Sequence, residues 1–152
     1  MKHEENPAKT FLRSYRAQLM RVDALRRAID EAMERATDIS VQLKPIIIQA
    51  NGIPDRMAED VCYAADASGI LTEELKKATA ALNDVAMAIA SVPDEMEKTV
   101  LTMRYIEGLD WISIAERIHY EERQTFVIHG RGLMAVNRWM ERAQENAVAI
   151  TI

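Results

Sequence analysis

Cysteine, proline, glycine and aromatic residues are all scarce in this chain. Cys62 is the only cysteine among 152 residues, so no disulfide can form within the chain, a pattern that suits a reducing compartment. Four prolines and five glycines are too few for a protein made of many tight turns. Aromatic side chains make up 5% of the residues, so the core has to be built from aliphatic and methionine side chains. No run of about 18 apolar residues occurs, which argues against a membrane-spanning helix. The first residues, MKHEENPAK, lack the apolar stretch of a signal peptide. Together these absences predict a cytoplasmic protein without a membrane partner.

Signatures of chemistry are missing as well. The three histidines, His3, His119 and His129, do not fall at spacings used for zinc, among themselves or with Cys62. No glycine-rich phosphate loop and no Gly-x-Ser-x-Gly elbow is present. The carboxylates fall mostly on polar helix faces, where solvation or pairing one turn away is their ordinary role. The expectation is a protein that is not an enzyme and needs no metal or cofactor.

What is plentiful is helix-forming material. Hydrophobic residues make up 49% and charged residues 28% of the chain, with a net charge of −5, the composition of a folded, acidic, soluble domain. Ala, Leu, Met, Glu and Arg dominate, and they lose little freedom in a helix. Between residues 8 and 43 there is no proline or glycine. Tyr15, Leu19, Val22, Ile29, Met33, Ala36 and Leu43 recur at steps close to alternating three and four, widened by Leu25 and Ile39 and interrupted by Arg26 and Ser40. This predicts a long amphipathic helix, stopped by Pro45. Residues 46–55 then read as a turn, with Asn51, Gly52 and Pro54 close together, and Ile46 to Ile48 packing back on the helices.

A second helix follows with a stricter rhythm. Met57, Val61, Ala64, Ser68, Leu71, Leu75, Ala78, Leu82, Val85, Ile89 and Val92 alternate steps of four and three, the pattern of a coiled-coil seam. Gly69 weakens it locally. Two helices of similar length with a short connection predict an antiparallel hairpin over residues 8–92. Two helices alone make a thin core, so dimerisation or partner binding is expected of this part, and a homo-oligomer with it.

The last third has a different grammar. Pro93 with Asp94, Glu95 and Glu97 marks a helix start, and Gly108 a helix end. Asp110 reads as the N-cap of a short helix, Trp111 to Ile118, in which small Ala115 lets another helix cross closely. Residues His119 to Glu121 separate it from a longer helix beginning at Glu122 and reaching about Arg142, with Thr125, Ile128 and Leu133 turned inward. Two helices joined by three residues in this pattern predict a helix-turn-helix domain over residues 93–143. Gly130 and Gly132 inside the last helix suggest close approach of a neighbouring helix or of DNA, and Trp139 and Met140 close the core. The apolar tail, residues 144–152, is expected to dock on the domain or a partner.

The segment LTMRYIEGLDWISIAERIHYEERQTFVIHGRGLMAV, residues 101–136, resembles region 4 of bacterial sigma factors. It is closer still to small phage-encoded sigma-like transcriptional regulators, late-gene activators among them. The resemblance lies in Arg104 to Leu109, Trp111, Ile114 to Glu116, Tyr120, Glu122, Arg123 and His129 to Arg131. A looser likeness joins Phe11, Leu12 and Tyr15 to the start of such proteins' long helical N-terminal part. It implies binding of double-stranded promoter DNA, possible contact with RNA polymerase, and action inside a bacterial host cell. DNA would be met by Glu122, Arg123, Gln124, Phe126 and Val127 at the start of the last helix. Arg and Gln there suit guanine and adenine edges, while Arg131 and Arg138 would lie near phosphates.

This chain departs from that pattern at several positions. His119 stands where glycine is common in the turn, and Glu121 where serine or threonine caps the helix. Phe126 and Val127 replace polar groups on the reading face. Residues 94–152 hold seven Lys and Arg against ten Asp and Glu, although Arg117, Arg123, Arg131, Arg138 and Arg142 remain available as a local basic strip. A second reading therefore stands beside the first. The same fold would serve as an acidic protein-binding module or inhibitor, directed at polymerase, a sigma factor or a host defence enzyme, without binding DNA.

Overall fold

The computed structural model describes residues 5–49 and 55–151, giving the backbone alone at residues 40, 42–49, 55–58 and 61. Helix is the only regular secondary structure among the described residues, which include no strand. Helix α1 spans Pro7–Gln49, α2 Asp55–Ala90, α3 Glu95–Leu101, α4 Trp111–Ile118 and α5 Glu122–Thr151. A wider π-helical turn, Thr102–Ile106, continues α3. No helix among the described residues is long and apolar enough to cross a membrane.

By packing, the chain divides into two compact units. One comprises Met1–Gln18 with Ala81–Ile152, the other Leu19–Ala80. The turn chemistry at Pro93 suggested a boundary between residues 92 and 93. The contacts instead place the ends of α1 and α2 with the C-terminal helices, because those ends carry the apolar residues that complete the C-terminal core.

In the larger unit, Ala8 and Leu12 of α1 and Val85, Ala88 and Ile89 of α2 form one buried cluster with Val92, Leu101, Tyr105, Leu133, Ala135 and Val136. Phe11 stacks on Trp139 with ring centres 6.1 Å apart, and Met140 packs against the same core, as the sequence suggested. The start of α1 is pinned by side-chain amides: the Ala8 N–H donates to Oδ1 of both Asn6, at 3.0 Å, and Asn137, at 3.1 Å. Such capping satisfies donors that a helix start leaves without partners. A second cluster joins Val100, Ile114 and Ile128, flanked by Met103, Leu109, Trp111 and Ile118, and it holds α4 against α5.

In the unit Leu19–Ala80, Val22, Leu25 and Ala78 are the buried hydrophobics among the described side chains. Arg21 donates to Glu74 at 2.9 Å, joining α1 to α2. Of the expected seam on α2, Ala64, Ser68, Leu71, Leu75 and Ala78 are half-buried or buried, and the side chains of Met57 and Val61 lie outside the described residues. On α1, Ile29, Ala36 and Ile39 are half-buried, but Leu19 and Met33 are exposed, so the stripe is narrower than its spacing implied.

Three expectations need correction. Pro45 does not stop α1, which runs on to Gln49. Proline's fixed φ is itself helical, so its cost is one missing hydrogen bond and a steric push on the preceding turn, a local penalty that a 43-residue helix absorbs. The expected turn at residues 46–55 is helical at both ends, and residues 50–54 lie outside the described residues. Of the two places expected for the tail, a partner or the domain, the domain does not cover its described residues: α5 continues through residues 144–151, and Val148 and Ile150 are exposed. Ala and Val in sequence after a long helix simply propagate it, since each added residue gains a hydrogen bond without a new nucleation cost.

Candidate nucleic-acid interface

The two helices α4 and α5 are set by a three-residue connection. Asp110 caps α4, its Oδ1 accepting from the Ser113 N–H at 2.7 Å. That bond to the carboxylate holds its pKa below the usual value. At the other end of α4, His119 takes up a left-handed conformation, φ 57°. Its N–H and that of Tyr120 return to Glu116 and Ala115 carbonyls at 3.3 and 3.1 Å, so the end of α4 is closed by backbone bonds alone. Ile114 and Ala115 are buried beneath α4. Opposite them α5 buries Thr125, Ile128, His129, Gly132, Leu133, Ala135 and Val136, the inward set expected from the sequence with several additions. A Cβ on Gly132 would meet the Leu101 side chain at 3.0–3.4 Å, whereas Gly130 has open space around it. Close helix packing thus explains Gly132, and Gly130 lies on the free side.

Every residue expected to face DNA is exposed, but the residues do not form one patch. Glu122, Arg123, Gln124, Phe126 and Val127 occupy the first two turns of α5. Arg131 follows on the same side as Arg123 and Val127, about 12 Å further along at 1.5 Å per residue. Arg138 lies about 22 Å from Arg123 by the same measure and borders a shallow hollow with Glu141 and Glu145, which separates it from the start of α5. Phe126 is 46% exposed because one side rests on Trp111, ring centres 4.7 Å apart. Of the basic strip, Arg117 is tied to Glu107 at 3.1 Å and Arg142 donates to the Arg138 carbonyl at 3.3 Å. Among the described residues, Arg123 and Arg131 make no ion pair.

The structure adds a second basic feature that the linear reading missed. Lys9, Arg13 and Arg16 of α1 and Arg104 of the π-helical turn line a pocket of about 330 Å³, walled by Tyr105, Gly108 and Trp111. The widened turn closes with the Glu107 N–H bonded to the Thr102 carbonyl at 3.0 Å and the Leu109 N–H to Met103 at 3.0 Å. Arg104 lies 4.6 Å over the Trp111 ring and donates to the Leu109 carbonyl at 2.9 Å, so its planar group is held by stacking and by a hydrogen bond. Gly108 has φ +74°, and a Cβ there would overlap the Arg16 guanidinium; both backbone and neighbour require glycine. The signal was present in the sequence, since Lys9, Arg13 and Arg16 follow the i, i+4, i+7 spacing of one helix face. What it lacked was any mark that this face meets Arg104, almost ninety residues later.

Behind the pocket wall, His129 and Tyr105 form a buried polar pair, Oη to Nε2 2.8 Å. His129 meets Trp111 edge-on at 4.7 Å. Burial, reinforced by the positive charges of Lys9 and Arg104, pushes the His129 pKa down to about 4, so the ring is neutral at physiological pH. Burial raises the Tyr105 pKa, against the opposing pull of Arg13 and Arg104. No protein-family model matches the chain, and neither a curated protein nor a solved structure is significantly similar to it.

Proposed function

We propose that this chain is a phage-type, sigma-like transcriptional regulator that binds promoter DNA through α4 and α5 acting as a helix-turn-helix. One observation carries the reading: Arg123 and Gln124 stand exposed in the first turn of α5, Arg123 without an ion pair among the described residues, at the end of a helix fixed from behind by α4. That is the position from which a recognition helix reads base edges in the major groove. Arg131 on the same side reaches phosphates. The long helices α1 and α2, joined by Arg21 and Glu74, act as a hairpin that pairs with a second copy or with RNA polymerase, and such linkage raises the affinity of an acidic protein for DNA. The protein has no catalytic role in this reading and works in the cytoplasm of a bacterial host.

The experiment is selection from a pool of randomised duplexes with the full chain, repeated with Arg123→Ala. An enriched sequence is expected, and the variant should lose about 1–3 kcal/mol of discrimination at one base position. Enrichment unchanged by Arg123→Ala would remove that residue from the reading face, and no enrichment at all would remove the DNA.

A second reading is favoured by a specific feature of the same surface. Ile112, Phe126, Val127 and Met134 are all exposed, an apolar share high for a DNA-reading face. On that account the helix pair seats on a protein, such as polymerase, a sigma factor or a host defence enzyme. Binding to purified RNA polymerase that Phe126→Ser abolishes, with no duplex enriched, would support it.

A further inference from the structure

The pocket between the start of α1 and the π-helical turn has a composition unusual for an acidic protein. Four cationic side chains border a volume of about 330 Å³, and no carboxylate is among its lining. Arg13 is bridged to Glu5, but Lys9, Arg16 and Arg104 make no ion pair among the described residues. Like charges gathered this closely repel one another, so an arrangement without counter-charge is stabilised when an anion enters. The gathering is also built rather than incidental. Arg104 is fixed by the Trp111 ring and the Leu109 carbonyl, and Gly108 clears the space that the Arg16 guanidinium fills.

We infer that this pocket is a phosphate-binding site, in which the guanidinium groups of Arg16 and Arg104 and the ammonium of Lys9 hold the oxygens of one phosphate group. Planar guanidinium donors match phosphate oxygens in pairs, and an ammonium adds a point charge. The volume admits a phosphate or pyrophosphate. A base stack on Trp111 is disfavoured, because Arg104, Phe126 and His129 already surround that ring. Trp111 touches Phe126 at the start of α5, so the pocket lies beside the surface proposed to read DNA, and a backbone phosphate is one source of the group. Free phosphate is the other. The backbone source rests on the proposed function; the pocket itself does not.

The test uses the full chain carrying Trp139→Phe, so that Trp111 is the fluorescent reporter, and the double variant Lys9→Gln, Arg16→Gln on that background. Neither of these two cations is needed to hold Trp111 in place, and matching helical circular dichroism and melting profiles establish that the variant is folded. Pyrophosphate, and an oligoglutamate at matched ionic strength, are titrated against each. In parallel the salt dependence of binding to an enriched duplex is measured. A saturable response to pyrophosphate, weakened at least tenfold in the double variant and weaker for oligoglutamate, establishes the phosphate site. A duplex salt slope reduced by about two in the variant also establishes it, with the DNA backbone as source. If pyrophosphate responds while the duplex slope is unchanged, or no duplex binds, the site stands and its source is free phosphate. An oligoglutamate response equal to or stronger than that to pyrophosphate overturns the proposal in favour of an acidic protein segment. No pyrophosphate response together with an unchanged duplex slope overturns it outright.

Discussion

The two units of this molecule are written in the same helical language and reach different degrees of burial. The unit of Met1–Gln18 and Ala81–Ile152 holds fully buried Leu12, Val85, Val100, Leu101, Ile114 and Val136, drawn from five helices, and Val92 between two of them. The unit Leu19–Ala80 offers Val22, Leu25 and Ala78 among its described side chains. An apolar stripe buries well only when a third element closes over it, as α3 and α5 close over the ends of α1 and α2. Among the described side chains of Leu19–Ala80, where two helices pack on each other, much of the same stripe stays half-wet. The lesson is that periodicity reports which face is apolar, while the number of elements meeting there decides what the face is worth.

That contrast can be broken at its strongest point first. Leu101 is fully buried, its side chain filling the space that a Cβ on Gly132 would need, so Leu101→Ala is expected to cost about 2–5 kcal/mol in urea unfolding. Val22→Ala, with two methyl groups lost from a thinner core, should cost about 1–2 kcal/mol. Equal losses would mean that the two units are cored alike.

The next effect is a pH dependence confined to the larger unit. His129 has its pKa depressed to about 4 by burial, against about 6.5 in an unfolded chain. Between these values the unfolded state binds the extra proton, so stability rises with pH. The contribution is therefore complete above about pH 6.5 and lost as pH falls through about 4, roughly 3 kcal/mol in all. Urea midpoints from pH 7.5 to 4 should fall accordingly, and His129→Gln should flatten that part of the curve. A variant with the parent's pH profile would assign the acid sensitivity to other groups. The smallest effect sharpens the comparison from the other side. Gly69 has open space where a Cβ would lie, so Gly69→Ala should stabilise the Leu19–Ala80 unit by about 1 kcal/mol, seen as slower hydrogen exchange around residue 69. Faster exchange there would indicate that the glycine serves a bend.

Much of the architecture was legible locally. The Asp110 cap, the inward set Thr125, Ile128 and Leu133, and Trp139 closing the core all depend on neighbours within a turn or on one amphipathic face. Features that failed were those set by energy balance or distance. Pro45 reads as a stop, yet one lost hydrogen bond did not outweigh a helix already nucleated. The tail reads as apolar, yet helix propagation decided its form. His119 closes α4 in a left-handed conformation, φ 57°, which histidine tolerates better than most side chains. The basic pocket was invisible because its two halves lie in α1 and the π-helical turn, and net charge averaged over residues 94–152 concealed a gathering that draws three of its cations from before residue 17.

The most direct measurement is a salt titration of the full chain on the enriched duplex beside a scrambled one of equal length. The account predicts preference for the enriched duplex at every salt concentration, with affinity falling between about 50 and 200 mM and a log–log slope of magnitude about 3 to 5, reflecting a handful of phosphate contacts. Equal affinity for both duplexes, or no binding to either at the lowest salt, would contradict DNA reading by α5.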